Sequence, residues 1–212
     1  MDKKSREWFD DVYSLAEDFP TFAVFTNVIK YKDVKKMFKN CKVNAQKKDI
    51  EMCTDMFARL YRHLPSEEDF MEEKQRILEE LTPKLKERLG WVETVVSFGK
   101  HQGDVDLCLI SPYGLSEKKL YETLPRDDPL LSKYPIVDWD TLLNFQCKNG
   151  EEFAEKIISN SKWKKYGRER VKQNLYSARL MWGNQKEIDL MKSRLEQLIK
   201  TQQRRFYFFK FS

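Results

Sequence analysis

Apolar positions recur at helical spacing through most of the first ninety residues, then give way to two short extended runs. Trp8, Val12, Leu15, Ala16 and Phe19 share one face of a predicted helix from Trp8 to Phe19, which Pro20 ends. Thr21 to Ile29 is apolar and β-branched, and Asp33 to Phe38 reads as helix. Ile50, Met52, Cys53, Met56, Phe57, Leu60 and Leu64 give a broad apolar face to a further helix, Asp49 to Leu64, stopped by Pro65. Ser66, with Asp69 three residues on, has the form of a helix cap. The helix it starts carries Phe70, Ile77, Leu78, Leu81, Leu85 and Leu89 in register and stops at Gly90. Pro83 inside it predicts a kink, or a restart with Thr82 as cap.

The period changes in WVETVVSFGKHQGDVDLCLISP, Trp91 to Pro112. An apolar extended run stops at Gly99, turns briefly, and resumes as a second run with Val105, Leu107, Leu109 and Ile110, predicting two strands. Ser116 then caps a short helix through Leu124, and Pro125 to Pro129 reads as a loop. A third strand is expected around Ile136–Val137, and a helix from Glu151 to Ser159 with Phe153, Ala154, Ile157 and Ile158 on its apolar side. Further on, two patterns compete. Gly183–Asn184 suits a hairpin between Leu175–Trp182 and Glu187–Leu190, whereas Ile188, Met191, Leu195, Leu198 and Ile199 keep helical spacing. A short strand at Lys186–Leu190 passing into a helix from Lys192 reconciles them. The terminal RRFYFFKFS reads as a last strand or as a partner-binding surface.

Composition narrows the class. The 212 residues fit one domain, or a domain with a helical lobe, and 34% charged residues beside 41% hydrophobic ones imply a small core under a heavily solvated surface. Four cysteines without CxxC pairing and only two histidines, His63 and His101, argue against a structural zinc site. MDKKSREWFDD lacks the apolar stretch of a secretory signal, and no segment reaches 18 uninterrupted apolar residues, so the expectation is an intracellular protein, cytoplasmic or nuclear, with reduced thiols and no membrane partner. Net charge is only +5, so clustering matters more than the total. Lys30 to Lys48 is lysine-rich with a single acid, Asp33, a pattern able to contact phosphates but more often simply a solvated face. Ser161 to Lys172 interleaves basic residues with Trp163 and Tyr166, so Lys162, Trp163, Lys164, Lys165, Tyr166 and Arg168 are candidate contacts to a single nucleic-acid strand. An amphipathic connector explains the same pattern.

The candidate chemistry sits on the second strand. Side chains two apart on a strand leave the same face, so Asp104 and Asp106 project into one space. Two carboxylates that close repel unless a cation lies between them, and hard divalent ions such as Mg²⁺ take oxygen ligands.

A strand, Phe98–Gly99, a short turn and then DVDLCL together resemble the active-site region of the nucleotidyltransferase superfamily, most nearly the non-canonical poly(A) polymerases and terminal uridylyltransferases. In that family a Phe-Gly-Ser turn leads to a strand bearing Asp-x-Asp, and a third Asp lies on a later strand. The resemblance covers Leu81 to Ser111 and extends weakly to the C-terminal segment. It implies an α+β fold, with a small mixed palm sheet and packed helices over residues 67–212 and a helical region over residues 1–66. It implies Asp104 and Asp106 as metal-binding, catalytic carboxylates and Gly99 as the glycine of the phosphate turn. SARLMWGNQKEIDL resembles the strands that hold the third carboxylate, nominating Asp189, with Asp140 as rival. Lys100 stands where the family has Ser, and its charge can replace part of the phosphate binding. Only Lys100 to Gly103 separates Gly99 from Asp104, a turn shorter than in the family.

The implied activity is RNA 3′-terminal nucleotidyl transfer with Mg²⁺ or Mn²⁺ and a nucleoside triphosphate, the partners being an RNA 3′ end and a protein cofactor. The alternative is a catalytically impaired domain of the same kind acting as an RNA- or protein-binding module, which the short turn favours. A third is a helical interaction protein with an incidental hairpin.

Overall fold

A computed structural model describes residues 1–18, 60, 63–99, 104–125, 128–134, 136–139, 142, 145–159 and 168–208. The expected elements at Thr21–Ile29, Asp33–Phe38 and Asp49–Leu64 lie outside these residues, Leu60, His63 and Leu64 apart. In order, the elements are α1 (Lys3–Asp18), α2 (Glu67–Leu89), β1 (Thr94–Phe98), β2 (Val105–Ile110), α3 (Glu117–Thr123), α4 (Pro129–Lys133), β3 (Val137–Asp138), β4 (Gln146–Cys147), α5 (Gly150–Ser159), α6 (Arg168–Tyr176), β5 (Arg179–Trp182) and α7 (Lys186–Phe208). The result is a mixed α+β fold with one small mixed sheet. No described helix is long and apolar enough to cross a membrane.

The sheet runs β3-β2-β1-β5, with β4 also paired to β2. β1 is antiparallel to β2, with Phe98 opposite Asp106, and antiparallel to β5. β4 runs parallel to β2, Cys147 opposite Ile110. Every residue of β1 and β2 is buried, which explains why these strands read as continuous apolar runs.

Contacts divide the chain into two compact units, one of residues 1–81, 101–104 and 126–138, the other of residues 82–100, 105–125 and 139–212. In the first, α1 packs on α2 through an aromatic cluster. The Phe70 ring meets Trp8 at 5.4 Å and Phe9 at 5.2 Å, both edge-to-face. The Trp8 indole N–H donates to the Leu60 carbonyl at 2.9 Å. Beside them the buried Glu73 carboxylate accepts from Arg6 (2.8 Å), Arg76 (2.7 Å) and the Tyr13 hydroxyl (2.7 Å). Burial opposes its charge, but hydrogen bonds from Arg76 and Tyr13 and the charges of Arg76 and Arg6 outweigh that and hold Glu73 below the ordinary carboxylate value.

This network predicts an acid-side stability loss. Folding favours the ionised Glu73, so its contribution is complete above pH 4.5, the ordinary glutamate value, and is lost as pH falls through the lower folded value. Glu73→Gln keeps the volume and removes the charge. Arg6 and Arg76 are 40% and 45% exposed and stay hydrated when released, so the cost falls below that of a fully enclosed ion pair. We expect about 2 kcal/mol at pH 7 by urea titration, shrinking toward zero below pH 4. An equal loss at both pH values would mean that the charge of Glu73 contributes nothing.

In the second unit one sheet face, with Val96, Phe98, Cys108 and Ile110, packs against α5, α6 and α7. Phe98, Phe145 and Phe153 stack edge-to-face at the centre, Phe98 lying 5.5 Å and 4.9 Å from the other two. The Cys108 and Cys147 sulfurs lie 3.9 Å apart as free thiols, and burial, with the Cys147 contact, pushes the Cys108 thiol up. Asn149 opens α5 by accepting from the Glu152 N–H at 2.9 Å, and Glu187 accepts from the Gly150 N–H at 2.7 Å.

Three sequence expectations change. Pro83 neither restarts α2 nor needs Thr82 as a cap, because the helix is continuous from Glu67 to Leu89. The proposed hairpin is absent: after β5 the chain enters α7 at Lys186, with no strand over Lys186–Leu190. Residues 204–208 continue α7 rather than forming a strand, and residues 209–212 lie outside the description. The Ser116 cap is present, its hydroxyl accepting from the Lys119 N–H.

Candidate metal centre

Asp104, Asp106 and Asp138 converge, each offering a carboxylate oxygen within 4.8 Å of the others. Asp106 stands on β2 and is 6% exposed; Asp104, half-buried, immediately precedes that strand. Asp138 is half-buried at the end of β3, the neighbour of β2 in the sheet. The Val137 N–H donates to the Tyr134 carbonyl at 3.0 Å, turning the chain from α4 into β3. Tyr134 is itself anchored on α2, its hydroxyl donating to Glu80 at 2.7 Å.

The donor set suits a hard divalent cation. Oxygens sharing one Mg²⁺, Mn²⁺ or Ca²⁺, at bond lengths of about 2.0–2.6 Å, lie no more than about 4–5 Å apart, and these three all lie within 4.8 Å of one another. With no thiol or imidazole in the group, a soft-metal site is not indicated. Lys74, on α2 and 7% exposed, directs its ammonium to the Asp104 main-chain carbonyl at 3.4 Å.

Asp104 and Asp106 are thus brought together as their spacing requires. Among the described residues the third carboxylate of the cluster is Asp138. Asp189 is exposed in the first turn of α7, after β5, which pairs with β1 rather than with β2. Asp140 lies outside the described residues. A signal for Asp138 was present: the third strand was expected around Ile136–Val137, and one more residue of strand includes it.

Gly99 ends β1 with φ 136°, a backbone that side-chain-bearing residues avoid, and its carbonyl accepts from the Ser177 hydroxyl at 2.6 Å. Lys100 and the rest of the turn to Gly103 lie outside the described residues, as do Lys162, Trp163, Lys164, Lys165 and Tyr166. Arg168 opens α6, with its side chain outside the description.

Compared with protein-family models, curated proteins and solved structures, the chain matches none.

Proposed function

We propose that this chain is a metal-dependent nucleotidyltransferase that adds nucleotides to an RNA 3′ end, its sheet being the palm. The convergence of Asp104, Asp106 and Asp138 on one space carries the reading. Asp104, Asp106 and Asp138 would hold Mg²⁺ or Mn²⁺. Metal held there would supply Lewis-acid chemistry, lowering the pKa of an attacking 3′-hydroxyl and offsetting charge on a triphosphate. The protein's own contribution is position: β2 is buried along its length, so Asp106 stands on a firmly held strand and Asp104 immediately precedes it. By the family resemblance, Gly99 would be the glycine of the phosphate turn and Lys100 would supply charge for the triphosphate. Lys162 to Arg168 would follow the RNA strand.

Only four residues separate Gly99 from Asp104, which favours a second reading, an impaired domain that binds RNA or protein without catalysis. One experiment separates the two. Purified protein is incubated with Mg²⁺ or Mn²⁺, each labelled nucleoside triphosphate, and a short RNA bearing either a free or a blocked 3′ end. The catalytic reading expects extension only of the free end, abolished by chelator. RNA binding that survives chelator, with no extension from any triphosphate, would establish the module instead.

A further inference from the structure

We propose that Lys74 is the built-in counter-charge of the carboxylate centre, holding the three aspartates together and setting how tightly the site takes a divalent ion; this rests on the metal-binding part of the reading above. Placing an ammonium where only 7% of the residue meets solvent is unfavourable unless negative charge compensates it. Its neighbour on α2, Glu73, is committed to Arg6, Tyr13 and Arg76. Lys74 instead meets the backbone of a ligand residue, its ammonium donating to the Asp104 carbonyl at 3.4 Å. That contact brings a full positive charge within one residue's reach of the Asp104 carboxylate, whose oxygens share a space with those of Asp106 and Asp138.

The charges follow. Three carboxylates alone repel strongly at this spacing, and the charge of the Lys74 ammonium offsets one of the three negative charges. Lys74 therefore favours convergence of the carboxylates before a metal arrives and weakens the pull on the metal itself. Replacing it with an uncharged chain of similar length should separate these effects.

Thermal unfolding of the full chain in chelator, and Mn²⁺ titration by calorimetry, test this with Lys74→Met, Lys74→Arg, Asp138→Asn and the Lys74→Met/Asp138→Asn double variant. Lys74→Met is expected to lower Tm in chelator by about 5 °C. Asp138→Asn should restore most of that loss by removing one repelling charge, a coupling that mere packing of the lysine stem would not produce. Lys74→Met should also bind Mn²⁺ roughly tenfold more tightly than wild type, while Lys74→Arg stays near wild type. If Lys74→Met does not fold in chelator, the double variant still decides: its folding supports the counter-charge, and its failure overturns it. Equal destabilisation of the single and double variants, with unchanged Mn²⁺ affinity, also overturns it. Wild-type protein that binds no Mn²⁺ would overturn the metal reading instead, while the coupling measured in chelator would still judge Lys74.

Discussion

If the chain is the nucleotidyltransferase proposed above, Asp106→Asn is expected to lower RNA extension by at least about 1,000-fold while leaving the fold intact. Asparagine has nearly the shape of aspartate, and Asp106 sits opposite Phe98 in a fully paired, buried strand, so the backbone has no reason to move. What changes is charge: an acid becomes a neutral amide at the most buried corner of a three-carboxylate cluster. Loss of one preorganised electrostatic group in a transfer site typically costs roughly 100- to 1,000-fold, and a direct metal ligand lies at or beyond the upper end. A second readout separates this from simple damage. In chelator, Asp106→Asn should be as stable as wild type or slightly more so, since one of three repelling charges is gone. The rise in Tm expected of wild type with Mn²⁺ on that reading should shrink or vanish in the variant, because a ligand stabilises only the state that binds it. Asp138→Asn should follow the same pattern, while Asp189→Asn, on an exposed helical turn, should change extension less than about twofold. Inactivity of the Asp189 variant with full activity of the Asp138 variant would reverse our assignment of the third carboxylate.

That assignment marks where sequence stopped being informative. β1, β2 and the same-face placement of Asp104 and Asp106 were legible because a strand's period of two is local, and the apolar run around Asp106 shows a strand covered on both faces. The capped start of α3 and the apolar face of α5 were equally local. Asp138 was legible only in part: a strand was expected around Ile136–Val137, but β3 is two residues long and its place beside β2 rests on pairing that local sequence does not announce. The hairpin failed for a related reason. Asn184 suits a tight turn, but the same side chain suits a helix start: its amide oxygen accepts from the Lys186 N–H at 3.0 Å, and its carbonyl from the Glu187 N–H at 3.1 Å. Burial of Ile188, Met191 and Leu195 then decides for helix. Pro83 gives the converse case. Its interior position costs α2 about 3 kcal/mol, and burial of Ile77, Leu81, Leu85 and Leu89 along the same helix exceeds that.

Gly150→Ala is expected to be strongly destabilising, by about 3 kcal/mol or more in urea or thermal unfolding. A Cβ there would fall 1.8 Å from the Glu187 carbonyl oxygen, 2.8 Å from the carbonyl carbon and 2.9 Å from the Met191 nitrogen. All three atoms are backbone, so no side-chain rotation relieves the clash, and α5 and α7 must part by more than an ångström. Parting them opens the packing of Phe153, Ala154 and Ile157 on Ile188, Met191 and Leu195 and loosens the hydrogen bond from the Gly150 N–H to Glu187. The same core backs Cys108, two residues along β2 from Asp106, so the damage should reach the carboxylates as weaker Mn²⁺ binding. Gly114→Ala supplies the comparison. Gly114 has a left-handed φ of 79°, yet nothing lies within 4 Å of an added Cβ, so only backbone strain of about 1 kcal/mol applies. If Gly114→Ala proves the costlier change, backbone conformation rather than the approach of α5 to α7 limits this fold. If Gly150→Ala unfolds first and loses Mn²⁺ affinity with it, the helices behind the sheet hold the carboxylate strand in place.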